Sequence, residues 1–123
     1  MNANKTIIDA LEPLGHPVAF NIYEGEIVDG VTIKLPIYIT FNYEDDRAVA
    51  FADNKPTIDA AYMQIHLFCP SDFNFFTLKK KIRATLLKVG FTYPGTVSLY
   101  EDGTKTNHII FRCSINGTSE TEE

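Results

Sequence analysis

Between Ala60 and Cys69 the chain alternates with a period of two. Ala61, Met63, Ile65, Leu67 and Cys69 fall on one side, and Tyr62, Gln64, His66 and Phe68 on the other. Only an extended strand separates residues in this way. Apolar groups stand on both sides near its end, which predicts a strand in the middle of a sheet. The rest of the fold must be arranged around it.

Other segments supply partners for that strand. Pro36 to Tyr43 alternates Ile37, Ile39, Phe41 and Tyr43 with Tyr38, Thr40 and Asn42. A turn is expected at Glu44-Asp45-Asp46, where Asp side chains can bond the local backbone. Arg47 to Ala52 then returns as a further strand, and Asp53-Asn54-Lys55-Pro56 is the next connection. Val18 to Tyr23 reads as a first strand. Val97 to Tyr100 and His108 to Ile115 read as two more, joined by the polar turn Glu101 to Asn107. Asp29-Gly30 lies between Ile27-Val28 and Val31-Thr32-Ile33, which is the signature of a two-residue hairpin turn. Residues 24–34 are therefore expected to project as a hairpin.

Two stretches have helical spacing instead. Ile7, Ile8, Leu11 and Leu14 form one apolar face over Lys5 to Leu14, stopped by Gly15 and Pro17. Phe75, Leu78, Ile82, Leu86 and Val89 form another in a helix expected from Pro70-Ser71-Asp72 to Val89, with Ser71 or Asp72 as its cap and Gly90 as its stop. Lys79, Lys80 and Arg83 are placed on its solvent side. The order predicts an α+β fold, an antiparallel or mixed β-sheet packed by two helices, with a projecting hairpin. With 123 residues the chain is one domain. Residues 1–115 are expected to fold, and 116–123 to form a disordered acidic tail.

Composition narrows the function. A formal net charge of −5 argues against a dedicated DNA binder, which needs clustered Lys and Arg. No apolar run approaches the ~20 residues of a membrane-spanning helix. The two cysteines, Cys69 and Cys113, follow no secretory signal and are expected as free thiols. The three histidines, His16, His66 and His108, have no metal-ligand spacing, and neither cysteine lies in a Cys-x-x-Cys. His66 and Cys69 lie on opposite faces of a regular strand. No Gly-rich phosphate loop or Gly-x-Ser-x-Gly elbow is present. No catalytic residue, cofactor or metal is expected.

Two readings with chemistry stay open beside that one. Glu44, Asp45 and Asp46, with Asp53 and Asp59, are the acidic constellation a small metal-dependent phosphodiesterase or nuclease would need. Phe73, Phe75, Phe76 and Phe91 could instead line the pocket of a small-ligand binding module, although such aromatics more often fill a core.

Three segments resemble the tail terminator, or tail-to-head joining, proteins of long-tailed bacteriophages and prophages of Gram-positive hosts. The first runs from Ala10 to Phe20. The second runs from Phe51-Ala52-Asp53-Asn54 through Tyr62 to Leu67 and on to Leu86–Phe91. The third is Leu99-Tyr100-Glu101 followed by Asn107 to Arg112. They occur in that family's order, and residues 21–35 look longer than in its pattern. The resemblance implies a virion structural subunit of the tail completion type, present in the host cytoplasm during assembly. It implies a ring, usually a homohexamer, that caps the tail tube and docks on the head connector, with a monomer possible before assembly. The implied partners are other copies of the chain, the tail tube protein and the head connector protein. The expected assembly contacts are Glu24, Glu26, Ile27, Val28, Val31, Ile33, Lys34, Glu44, Asp45, Asp46, Lys79, Lys80 and Arg83.

Overall fold

The computed structural model describes residues 3–118. The fold is α+β. Helix α1 spans Ala3–Leu11. It tightens into a 3-10 turn at Glu12–Leu14, because Pro13 has no N–H to continue an α-helix. Gly15 closes the turn at φ 97° and donates its N–H to the Glu12 carbonyl at 3.0 Å. The strands are β1 (Val18–Phe20), β2 (Glu26–Val28), β3 (Val31–Ile33), β4 (Tyr38–Ala52), β5 (Lys55–Pro70), β6 (Gly95–Glu101) and β7 (Thr106–Thr118), and helix α2 spans Phe76–Lys88 between β5 and β6.

Five strands form one sheet in the order β1-β4-β5-β7-β6, so β5 is central, as the apolar groups on both its sides predict. β1 runs parallel to β4, and the other pairs are antiparallel, which makes the sheet mixed. β1 is shorter than expected. Asn21 takes φ 64° and turns the chain away, its N–H bonded to the Phe41 carbonyl at 2.8 Å.

The core lies on one face of this sheet. Ile39 and Phe41 of β4, Met63, Ile65 and Leu67 of β5, and Ile109 and Phe111 of β7 are fully buried with Ile7 and Leu11 of α1 and Ile82 and Leu86 of α2. Both helices therefore cover the same face. The alternate residues Tyr38, Asn42, Gln64, His66, Phe68 and His108 stay half-buried on a face that no helix covers.

Three further expectations need correction. The chain does not turn at Glu44-Asp45-Asp46. β4 runs straight through, absorbing the acidic triplet with a register shift between Tyr43 and Asp45, and the hairpin turns at Asp53-Asn54, where φ is 52° and 62°. A β-bulge admits an extra residue without ending the strand, which is how turn-like residues sit mid-strand. Nor does α2 start at Ser71 or Asp72. The Ser71 amide is bonded to the Lys105 carbonyl and the Phe73 amide to the Pro70 carbonyl, so the chain bends there. The helix begins after Phe75, and Asn74 Oδ1 accepts from the Phe76 N–H at 3.2 Å. Finally, β7 extends to Thr118, three residues into the expected tail, because Asn116 to Thr118 pair with Ile58 to Ala60 of the long β5. The remainder of that tail, 119–123, lies outside the described residues.

The end of α2 follows its sequence closely. Gly90 takes φ 109°, the Phe91 N–H bonds the Leu86 carbonyl at 3.0 Å and the Gly90 N–H bonds the Leu87 carbonyl at 3.2 Å. This is a Schellman cap, with Phe91 folding back into the core beside Leu86.

Candidate functional site

The hairpin expected at residues 24–34 forms, as a two-stranded sheet of its own. Its turn is Asp29-Gly30, with φ 52° and 77°, the positive pair that a tight hairpin turn requires. Every residue of β2 and β3 is exposed. Ile27 is 78% and Val31 60% accessible, and Val28 and Ile33 are exposed beside them. An isolated two-stranded hairpin is marginal in water, so its attachment matters.

The base is a clasp. Tyr23 is buried, its ring lies 4.8 Å from that of Tyr38, and its hydroxyl accepts the Leu35 N–H at 3.2 Å. Lys34 carries its ammonium 5.6 Å from the Tyr38 ring centre, a cation–π distance. Gly25 lets the strands close. At its φ of 107° a Cβ would stand 2.9 Å from the Ile33 carbonyl oxygen. Glu24 and Glu26 are exposed at this base. The clasp thus fixes where the hairpin leaves the uncovered face, while its aliphatic side chains remain exposed.

The acidic group is dispersed. Glu44 faces Arg112 at 3.6 Å, and Asp45 accepts from Arg47 Nε at 2.8 Å, so a cation neutralises each locally. The Arg47 guanidinium also lies 5.7 Å from the Tyr62 ring. Asp46 pairs with Ala61 within the ladder. Asp53 sits at the hairpin tip and Asp59 opposite Ala48. That register separates Asp53 from Asp59 by about 15 Å along the strands, at ~3.3 Å per residue. They do not converge on a common point. Among the described residues, no group of three or more His, Cys, Asp or Glu is placed to hold a metal ion.

The aromatic group does not enclose a cavity either. Phe91 is fully buried in the core, Phe73 and Phe75 pack against it, and Phe76 points outward, 62% accessible. On α2, Lys80 faces solvent as expected, but Lys79 and Arg83 lie half-buried on its flanks. Arg83 covers the Tyr93 ring at 4.3 Å, a contact that holds the chain after the helix against it. Both cysteines are buried free thiols, and burial pushes Cys69 up to about 11 and Cys113 up to about 12. At neutral pH neither is a thiolate nucleophile.

One cluster has no counterpart in the sequence reading. On the uncovered face His66 Nδ1 lies 2.8 Å from His108 Nε2, and His66 Nε2 lies 2.8 Å from Asn42 Oδ1. An amide oxygen can only accept, so His66 carries its proton on Nε2 and accepts from His108 through Nδ1. The rings of Tyr38, Phe68 and His108 stack in a row, with centroids 5.0 and 4.2 Å apart. Burial, and then the neighbouring His108, lower the His66 pKa to about 4. Burial also lowers that of His108, with Glu101 opposing it. Both rings are neutral at pH 7, and they tie β4, β5 and β7 together. The alternation places His66 on this face, but its meeting with His108 depends on the β5–β7 register, which no local motif announces.

No protein-family model matches the chain, and no curated protein matches it.

Proposed function

We propose that this chain is a structural assembly subunit, a tail terminator or tail-to-head joining protein whose copies form a ring that caps a phage tail tube and meets the head connector. One observation carries the assembly part of this reading. The β2–β3 hairpin holds Ile27, Val28, Val31 and Ile33 in water on a clasped base, as a separate sheet. Surface aliphatics held together in this way mark an interaction site, and burying them supplies binding energy at roughly 25 cal/mol per Å² before ordering costs. The phage assignment comes from the sequence resemblance. In this reading complementary surfaces do the work, with no covalent step and no cofactor.

Deleting Gly25 to Ile33 tests the reading. The cut leaves the Tyr23–Leu35 clasp in place, so the domain should fold. Phage assembled with the deleted chain should show tails of irregular length that fail to join heads. Uniform tails that join heads normally would overturn it. Native mass spectrometry with and without tail tube protein gives the stoichiometry directly.

A further inference from the structure

Five of the eleven basic residues of this acidic chain lie on α2, which holds no acidic residue at all. Lys80, Lys81 and Lys88 are exposed, and among the described residues none of them is ion-paired. The same outward face is not purely polar. Phe76, Lys80, Ala84 and Leu87 follow one another at helical spacing, all exposed, with Phe76 62% and Leu87 53% accessible. The buried stripe Leu78, Ile82 and Leu86 is on the opposite side. α2 therefore has a second apolar stripe, rimmed by positive charge.

The β2–β3 hairpin has the complementary character. Ile27, Val28, Val31 and Ile33 are its exposed centre, and Glu24, Glu26 and Asp29 give it a negative rim, with Lys34 the single cation at its root. The two surfaces cannot meet within one molecule. The hairpin is rooted through Tyr23 and Lys34 on Tyr38 of the uncovered face, whereas α2 lies on the covered face.

We propose that the outward face of α2 receives the β2–β3 hairpin of a second copy of this chain. The inference rests on the reading of the chain as an assembling subunit, and it names the two halves of the contact. Aliphatic side chains of the hairpin cover Phe76 and Leu87, while Glu24 and Glu26 face Lys80 and Lys81. Each copy then offers one donor and one acceptor on opposite sides, a head-to-tail contact that repeats until a ring closes. The charges steer encounter and fix orientation more than they add affinity, so the contact weakens with salt.

Charge exchange tests it. Sedimentation velocity of the full chain at low salt should show association that grows with concentration and fades at high salt. Lys80→Glu with Lys81→Glu should weaken self-association about tenfold or more, as should Glu24→Lys with Glu26→Lys, because each places like charges in contact. Mixing the two variants should restore association, since each acidic helix then finds a basic hairpin. Circular dichroism checks that both variants fold. If either does not, the single exposed change Leu87→Ser takes its place and should also weaken association. A wild type that stays monomeric at every concentration at low salt would overturn the proposal. So would variants that associate like wild type, or a mixture that does not recover. Loss of oligonucleotide binding in the lysine variant alone would assign α2 to a polyanion instead. Hairpin deletion that blocks tail capping, combined with charge reversals that leave self-association unchanged, would sink this contact and leave the assembly reading standing.

Discussion

Two of the hairpins among the described residues have the same kind of turn and opposite surroundings. β4–β5 turns at Asp53-Asn54 and β2–β3 at Asp29-Gly30, each through two residues of positive φ. β4 and β5 are 15 and 16 residues long, and β5 has neighbours on both edges and helices over one face. β2 and β3 have three residues each, and all of them are exposed. Turn chemistry alone therefore specifies where a chain reverses, not whether the result is stable. Stability comes from the layer packed on the strands, and only one hairpin has it.

The sharpest way to test that difference is to remove the layer. Ile82→Ala opens a hole in the core on the inner side of α2, and should cost about 2–5 kcal/mol of global stability in a denaturant melt. A cost under half a kcal/mol would mean the helix contributes little to β4–β5. Next in size is the acid response. An unfolded His titrates near pH 6.5, while folded His66 is held down to about 4. The unfolded state then takes up protons first, so the stability contributed is complete above pH 6.5 and is lost as pH falls from there through 4. Allowing for partial exposure of the ring, the loss is about 1 kcal/mol. His66→Gln should flatten thermal melts recorded between pH 7 and pH 4.

The two turns come next. Asn54→Ala leaves in the left-handed region a residue without the short polar side chain that makes Asn tolerant of it, and should cost about 1 kcal/mol globally, because β4–β5 folds with the core. Asp29→Ala carries the same local strain at β2–β3 and should shift the global melt by less than half a kcal/mol. Equal global costs would erase the distinction between the hairpins. Hydrogen exchange gives the smallest signal and the finest map. Amides of β2 and β3 should exchange with little protection, and those of central β5 only on global opening.

How far the sequence reveals the fold follows from how local each signal is. Asp29-Gly30 is legible because both strands lie within three residues of the turn. The central place of β5 is legible because its own side chains carry apolar groups on both sides near its end. Glu44-Asp45-Asp46 misleads because the same residues favour a turn or tolerate a bulge, and only the partner strand, Met63 through Ala61, decides between them. The His66–His108 pair is invisible for a related reason, since 42 positions separate its members. The outward stripe of Phe76, Ala84 and Leu87 can be read from its spacing, yet Phe75 and Ile82 give a stronger pattern that draws attention to the buried side. Exposed aliphatics carry less local information than a nucleophile beside its base.

The length of β5 has a mechanical meaning as well. It is bonded along β4 from Tyr38 to Ala52 and along β7 from Thr106 to Thr118. Antiparallel hydrogen bonds lie perpendicular to their strands. A pull along the strand axis therefore loads them in shear, many at once, and rupture must break them together. The same force applied across the two ends of β2–β3 peels one pair after another. Resistance to force is set by the unfolding rate along the pulled path rather than by equilibrium stability. Tension on the chain would open the small hairpin first and leave the five-stranded sheet closed.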